Sequence, residues 1–388
     1  MRFSRRVEQL VHSPIGAAHA LVGLRTNERP LLDLSQAAPS FPPADAVIQR
    51  IAEVALETDA GRYPPQPGLP KLREAFAADV NDGYKANIKP DDVLITAGCN
   101  QAFCCVASAL TSPGDEAILV APFYFNHDMW LKIEGAKVRY LEPGPDLLPD
   151  PQQAQALLTD KTKLITLVSP GNPTGVTIPK EIIHEFALLA QSNNIALIID
   201  ETYRSFRDEQ TPAHELFASP NWRDHVISLH SFSKDFAIPG YRCGAVVGGN
   251  AAITEALKVL DCLAISAPRI GQEAALAGLL HAQQWRKDQA SRVKTLESQF
   301  LKSMEEQPGG FKVVSSGAYF GWIQHPAKDL ATQEVVRKLV LEHDVLTIPG
   351  TAFTNTDQAT VRMSFANLEP EQMNELRSRL GEFGQHRL

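Results

Sequence analysis

Short runs of apolar and β-branched residues recur through the middle of this chain, separated by segments long enough to hold a helix. That alternation narrows the possible folds sharply. Residues 93–96, 116–120, 163–168, 195–199, 226–229 and 244–247 read as strands, and stretches such as 101–110 and 180–191 between them have crossover-helix length. Strands buried on both faces read as continuous apolar runs, so the repeated order predicts an α/β fold with a mostly parallel central sheet covered by helices. This large domain is expected over residues 44–282. A long polar helical stretch over 283–306, then Pro308-Gly309-Gly310 and short strands near 311–314 and 318–323, predict a smaller αβ domain at 283–388. Residues 1–43 carry Pro14, Pro30, Pro39, Pro42 and Pro43, and read as an N-terminal arm plus part of the small domain.

Composition narrows the function classes. With 388 residues and 44% hydrophobic content the chain can bury a large core. Its net charge of -8 is spread along the sequence with no long basic run, which argues against nucleic acid or an anionic membrane as partner. Five cysteines form an odd set without a metal-like pair, so neither a disulfide framework nor a metal site is expected. Arg2, Arg5 and Arg6 resemble the start of a signal peptide, but Glu8, Gln9, His12 and Pro14 interrupt any apolar stretch after them. No segment reaches the ~20 apolar residues of a membrane helix, and a cytoplasmic protein is expected. No GxGxxG comes after an early strand, which argues against a nicotinamide oxidoreductase.

In an open parallel sheet, ligands bind beyond the carboxyl ends of the strands. Five such ends carry polar or small-residue motifs: Thr96-Ala97-Gly98-Cys99-Asn100-Gln101-Ala102, Pro122-Phe123-Tyr124, Ser169-Pro170-Gly171-Asn172-Pro173-Thr174-Gly175, Asp200-Glu201-Thr202-Tyr203 and Ser231-Phe232-Ser233-Lys234. Each has a plainer reading. A lysine is usually a solvated surface residue. An aspartate after a strand is commonly a helix N-cap, and small residues at a helix start are common too. The Pro-Gly-Asn-Pro-Thr-Gly run is rich in turn formers, and an aromatic after a strand is more often core.

Taken together and in this order, the motifs resemble those of the class I/II aminotransferases, fold-type I enzymes that use pyridoxal phosphate (PLP). The resemblance spans nearly the whole chain, from Tyr63 in Gly61-Arg62-Tyr63-Pro64 to Arg362 in Val361-Arg362-Met363-Ser364-Phe365. It implies that Lys234 carries PLP as a Schiff base and moves the proton between the substrate Cα and the cofactor. Arg242 stands eight residues later in Gly240-Tyr241-Arg242-Cys243-Gly244, a spacing the family shares. By the same resemblance Asp200 partners the pyridinium nitrogen, Asn172 and Tyr203 donate to the phenolate oxygen, and Tyr124 stacks on the ring. Gly98, Cys99, Asn100, Ser231, Ser233 and Arg242 would hold the phosphate, with Tyr63 reaching the phosphate of the neighbouring subunit. That last role implies a homodimer with shared active sites. Arg362, with Asn172 and Ala37 beside it, would bind the carboxylate of the amino acid or 2-oxo acid substrate, and no metal is implied.

The sequence also departs from the pattern. Ala37 stands where relatives often carry glycine, and His127 where a tyrosine is common. No arginine falls where dicarboxylate-specific relatives hold a side-chain carboxylate, which weakens an aspartate preference. Arg269, in Ser266-Ala267-Pro268-Arg269, fits either distal recognition or a surface or helix-start role. The expected activity is transamination from an L-amino acid to a 2-oxo acid. Carbon–sulfur β-lysis or a related elimination is the alternative within the family, and a non-catalytic PLP-binding regulatory protein the alternative outside it.

Overall fold

The computed structural model describes residues 1–26, 28–207 and 212–385. Its main sheet has seven strands: β1 (Val93–Thr96), β2 (Glu116–Val120), β3 (Lys137–Leu141), β4 (Thr162–Val168), β5 (Ala196–Asp200), β6 (Val226–Ser231) and β7 (Gly244–Val247). They lie in the order β1-β7-β6-β5-β4-β2-β3. The run from β6 to β3 is parallel throughout, whereas β7 lies antiparallel to both its neighbours. β3 went unread in the sequence because it is an edge strand with only Leu141 buried, and edge strands lack the continuous apolar run of central ones.

Alternate side chains on each strand serve opposite faces. Leu94, Leu119, Leu164, Ile198, Leu229 and Val246 pack on one side of the sheet, while Ile95, Ile118, Ile165, Leu197, Ile199 and Val247 pack on the other. Period-two alternation therefore feeds two apolar layers, and helices close both. The relevant helices, in chain order, are α1 (Pro14–Val22), α2 (Asp45–Leu56), α3 (Pro70–Tyr84), α4 (Cys99–Leu110), α5 (Phe125–Glu134), α6 (Lys180–Asn193), α7 (Phe232–Asp235), α8 (Asn250–Ala264), α9 (Arg269–His281), α10 (Gln283–Met304), α11 (Thr332–His343) and α12 (Pro370–Gln385). Phe103 and Val106 of α4, Leu131 of α5 and Leu260 of α8 cover the first face. Phe76 and Val80 of α3, Phe186 of α6 and Ala274 of α9 cover the second.

A second core forms around four antiparallel strands, β8 (Lys312–Gly317), β9 (Phe320–Gln324), β10 (Ile348–Pro349) and β11 (Thr360–Ser364), ordered β10-β11-β9-β8. Phe300 of α10, Leu339 of α11 and Leu376 of α12 are buried in it. The N-terminal segment joins this core, because Leu32–Asp33 pairs in parallel with Val345–Leu346. α10 links the cores: Trp285 in its first turn packs against both. The loop after β4 meets the end of β8 so closely that a Cβ on Gly175, at φ +74°, would stand 2.3 Å from the Gly317 nitrogen. Glycine is required there by both the backbone conformation and the approach.

Candidate active site

Because β4, β5 and β6 are neighbours, their carboxyl ends deliver Asn172, Asp200, Ser231 and Lys234 to one place. The antiparallel sense of β7 brings its amino end, and with it Arg242, to the same edge. A cavity of about 350 Å³ opens there, lined by Ala37, Cys99, Asn100, Tyr124, Asn172, Asp200, Tyr203, Ser231, Ser233, Lys234, Arg242 and Arg362. Its size lies within the ~300–1,000 Å³ of small-molecule sites. Ile15 of α1, Gln36, Phe125 and Thr202 also contribute to the wall.

Lys234 lies part-buried on the short α7, its amine donating to the Ala37 carbonyl. Desolvation, reinforced by the positive charges of Arg362 and Arg242, pulls its pKa down to about 7. Near neutral pH an amine so placed is partly unprotonated, which is the form that attacks a carbonyl and accepts a proton. Arg362 comes from β11, 2% exposed. Its guanidinium lies between the rings of Phe320 and Phe353, at 4.9 and 5.0 Å from their centroids. One nitrogen donates to Asn172 Oδ1 at 2.8 Å and another to the Ser35 carbonyl. Burial lowers its pKa to about 10 against the opposing influence of Tyr203 and Tyr124, leaving it a cation at neutral pH.

Asp200 is 4% exposed at the end of β5. Its Oδ1 accepts from the Thr202 backbone N–H at 3.0 Å and faces the Cys99 thiol at 3.5 Å. Its Oδ2 lies 3.3 Å from Nε2 of His127, a ring stacked on Phe103 at 3.9 Å. Burial alone would raise the Asp200 carboxyl, but the His127 contact and then Thr202 outweigh it, so the group sits below its ordinary value. His127 is thus part of the site, although the sequence marks it only as a departure from a family habit. The signal that could have found it is its spacing: three residues past Tyr124, it lies in the first turn of α5 and faces the same edge.

Gly98 does not line the cavity but shapes it. It caps α4 at φ +85°, and a Cβ there would stand 2.2 Å from Nη2 of Arg242. Arg242 in turn donates to the carbonyls of Pro239 and Ala97 at 2.9 and 3.3 Å, which lays its charge against the start of α4. Backbone N–H groups at a helix start beside a guanidinium form an anion cradle. Tyr63 is not brought into this cavity: it is 75% exposed and lines a separate shallow groove with Arg269. Arg269 is taken up by acids, bonding Asp59 Oδ1 at 2.9 Å and the Asp59 carbonyl at 2.8 Å, with Glu57 close by. It ties α9 to the loop that leads to Tyr63.

Comparison with known proteins places this geometry. The sequence model of the family described as aminotransferase class I and II matches residues 29–380. An aromatic aminotransferase of Arabidopsis thaliana is 28% identical over 360 residues, covering 90% of this chain and 88% of the relative. The aspartate/prephenate aminotransferase of Thermus thermophilus is 28% identical over 377 residues, 94% of each. Among solved structures, the aspartate aminotransferase of Thermus thermophilus with maleate superposes with a TM-score of 0.89 at 26% identity, covering 99% of this chain and 100% of that one. The aspartate aminotransferase of Thermotoga maritima gives a TM-score of 0.88 at 26% identity, covering 98% and 99%. The chain therefore belongs to the class I and II aminotransferases and is a PLP-dependent enzyme that transfers amino groups through a lysine Schiff base.

Proposed function

We propose that this enzyme takes the amino group from an L-amino acid with an uncharged side chain and gives it to a 2-oxo acid, with Lys234 as the attachment residue. One observation carries the reading: Lys234, Asp200 and Arg362 line a single cavity although they come from three separate motifs and two cores.

The residues present suit PLP. Ser233 Oγ is buried without a hydrogen-bond partner among the described residues, and it stands by the cradle formed by Gly98, Cys99, Asn100, Ser231 and Arg242. These would hold the phosphate dianion. Asp200, kept ionised by His127, would hold the ring nitrogen in its protonated form. Asn172 and Tyr203 would donate to the phenolate oxygen, and Tyr124 would cover the ring face. When bound, the cofactor supplies an aldehyde that exchanges between lysine and substrate amines, and a ring that accepts the electrons left at Cα.

The chain's own part is positioning and proton transfer. Arg362, whose Nε is buried and without a partner among the described residues, would turn its fork onto the substrate carboxylate. That contact would fix the Cα within reach of Lys234, whose Nζ would take the Cα proton and hand it to the cofactor. Ile15, Gln36, Ala37 and Phe125 offer an uncharged wall to the side chain, which supports the substrate class.

We further propose a homodimer in which Tyr63 completes the partner's phosphate site, a reading supported by the exposure of this large aromatic side chain. A cytoplasmic location is proposed as well, supported by five free thiols. Residues 44–282 are proposed as the cofactor-binding domain, with 1–43 and 283–388 supplying the arm and small domain. The substrate class is tested by titrating the PLP-loaded enzyme with apolar, aromatic and acidic amino acids while monitoring its visible absorption. Conversion to the amine form by uncharged donors is expected. Conversion by aspartate or glutamate alone would overturn the substrate class, and ammonia release with the band retained would overturn transamination.

A further inference from the structure

Arg204 follows Tyr203 and Asp235 follows Lys234 in sequence, and neither charged residue lines the cavity. The two charges meet behind the site. Nη2 of Arg204 binds Asp79 of α3 and lies 3.7 Å from Asp235 Oδ2. Arg286 of α10 closes a square, with Nη2 2.7 Å from Asp79 Oδ1 and Nη1 3.9 Å from Asp235 Oδ2. The other oxygen of Asp235 accepts from Ser205 Oγ at 2.8 Å.

Side-chain exposures are 4% for Asp235, 9% for Asp79, 10% for Arg204 and 19% for Arg286, so the square is largely withdrawn from water. Two cations face two anions, and removing any corner leaves a buried charge without its counterpart. Aromatic faces back both cations: Arg204 lies 5.4 Å from the Phe76 ring and Arg286 5.7 Å from the Phe236 ring. Helix α3 grips the same loop a second time, because the Tyr84 hydroxyl donates to Glu201.

The square therefore joins four elements: α3, the loop that follows Asp200 at the end of β5 and bears Tyr203, the α7 turn that bears Lys234, and α10 where Trp285 spans both cores. A four-residue helix such as α7 has too few hydrogen bonds to hold its own place. A guanidinium fork, by contrast, fixes direction as well as charge.

We propose that Arg204 and Asp235 are positioning residues of the active site, the tie that holds the Lys234 turn at a set distance from the Asp200–Tyr203 loop. The proposal rests on the roles proposed for Lys234 and Tyr203. Arg204→Lys keeps the charge and removes the fork. Asp235→Asn is nearly isosteric, keeps an acceptor for Ser205, and carries the test if the lysine variant does not fold.

Each variant is assayed as PLP-loaded enzyme and as cofactor-free protein. The expected kcat falls at least about tenfold with KM for the amino acid little changed, toward the roughly 100-fold scale of a 1 Å misplacement. The double variant loses no more than the worse single one, because both cut the same tie. In the cofactor-free protein, the pH profile for labelling Lys234 with an amine-reactive reagent, read by mass spectrometry, moves upward from about 7 as the loosened turn admits water. A smaller fall in kcat, losses that multiply in the double variant, or an unmoved labelling profile would each overturn the proposal. Failure of the Lys234 assignment itself looks different: PLP would then be found on another lysine in the unsubstituted enzyme.

Discussion

At the scale of single residues, Lys234 concentrates the energetics of the site. A buried amine with pKa near 7, against the ordinary 10.5, binds fewer protons in the folded state than in the unfolded one between those values. Its cost to stability is therefore complete below about pH 7 and fades as pH rises toward the ordinary lysine value. Lys234→Met should accordingly raise the melting temperature of the cofactor-free protein at pH 6, with the gain shrinking steadily up to about pH 10. A gain that is flat across this range would show that the amine does not titrate near neutrality. His127→Phe keeps the stack on Phe103 but removes the contact to Asp200, whose carboxyl then rises because only Thr202 is left to oppose burial. With the carboxylate less firmly held in its charged form its grip on the protonated ring nitrogen weakens, so PLP affinity should fall on the order of tenfold in equilibrium titrations. Lys234, Asp200 and Arg362 were legible because each ends or occupies a recognisable run. His127 was not, since its partner lies 73 positions away and only the fold brings them to 3.3 Å.

At the scale of elements, central strands were read from continuous apolar runs, while the half-exposed residues of β3 and the reversed sense of β7 were not. Nothing local in Gly244-Ala245-Val246-Val247 encodes direction; that depends on the length and path of the preceding connection. The same limit hid the ionic square, whose four corners lie in four elements and read singly as surface charges. Glycines give a sharper test of element packing. Gly175→Ala adds a Cβ against the Gly317 backbone at positive φ, and should cost about 2–4 kcal/mol in chemical denaturation, combining strain with overpacking. Gly114→Ala, also at positive φ but with nothing within 4 Å of the added Cβ, should cost only the backbone share, about 1 kcal/mol. Equal costs would mean that the loop after β4 and the end of β8 do not meet so closely.

At the scale of the whole molecule, the site is assembled from both cores: α7 and the end of β5 bring Lys234 and Asp200, while β11 and residues 32–37 bring Arg362 and Ala37. The proposed dimer adds a contribution from outside the chain, and complementation reads it directly. Mixing subunits carrying Lys234→Ala with subunits carrying Tyr63→Phe leaves one site in each mixed dimer with both native groups, so about half the wild-type activity per mixed dimer should return. Activity equal to the sum of the separate variants would refute shared sites. Whether Lys234 holds the cofactor is decided by borohydride reduction of the PLP-loaded enzyme and peptide mass spectrometry of the product. The pyridoxyl mass is predicted on the peptide that contains Lys234, and absent after Lys234→Ala; its appearance on any other lysine, or its persistence in that variant, would contradict the role given to Lys234.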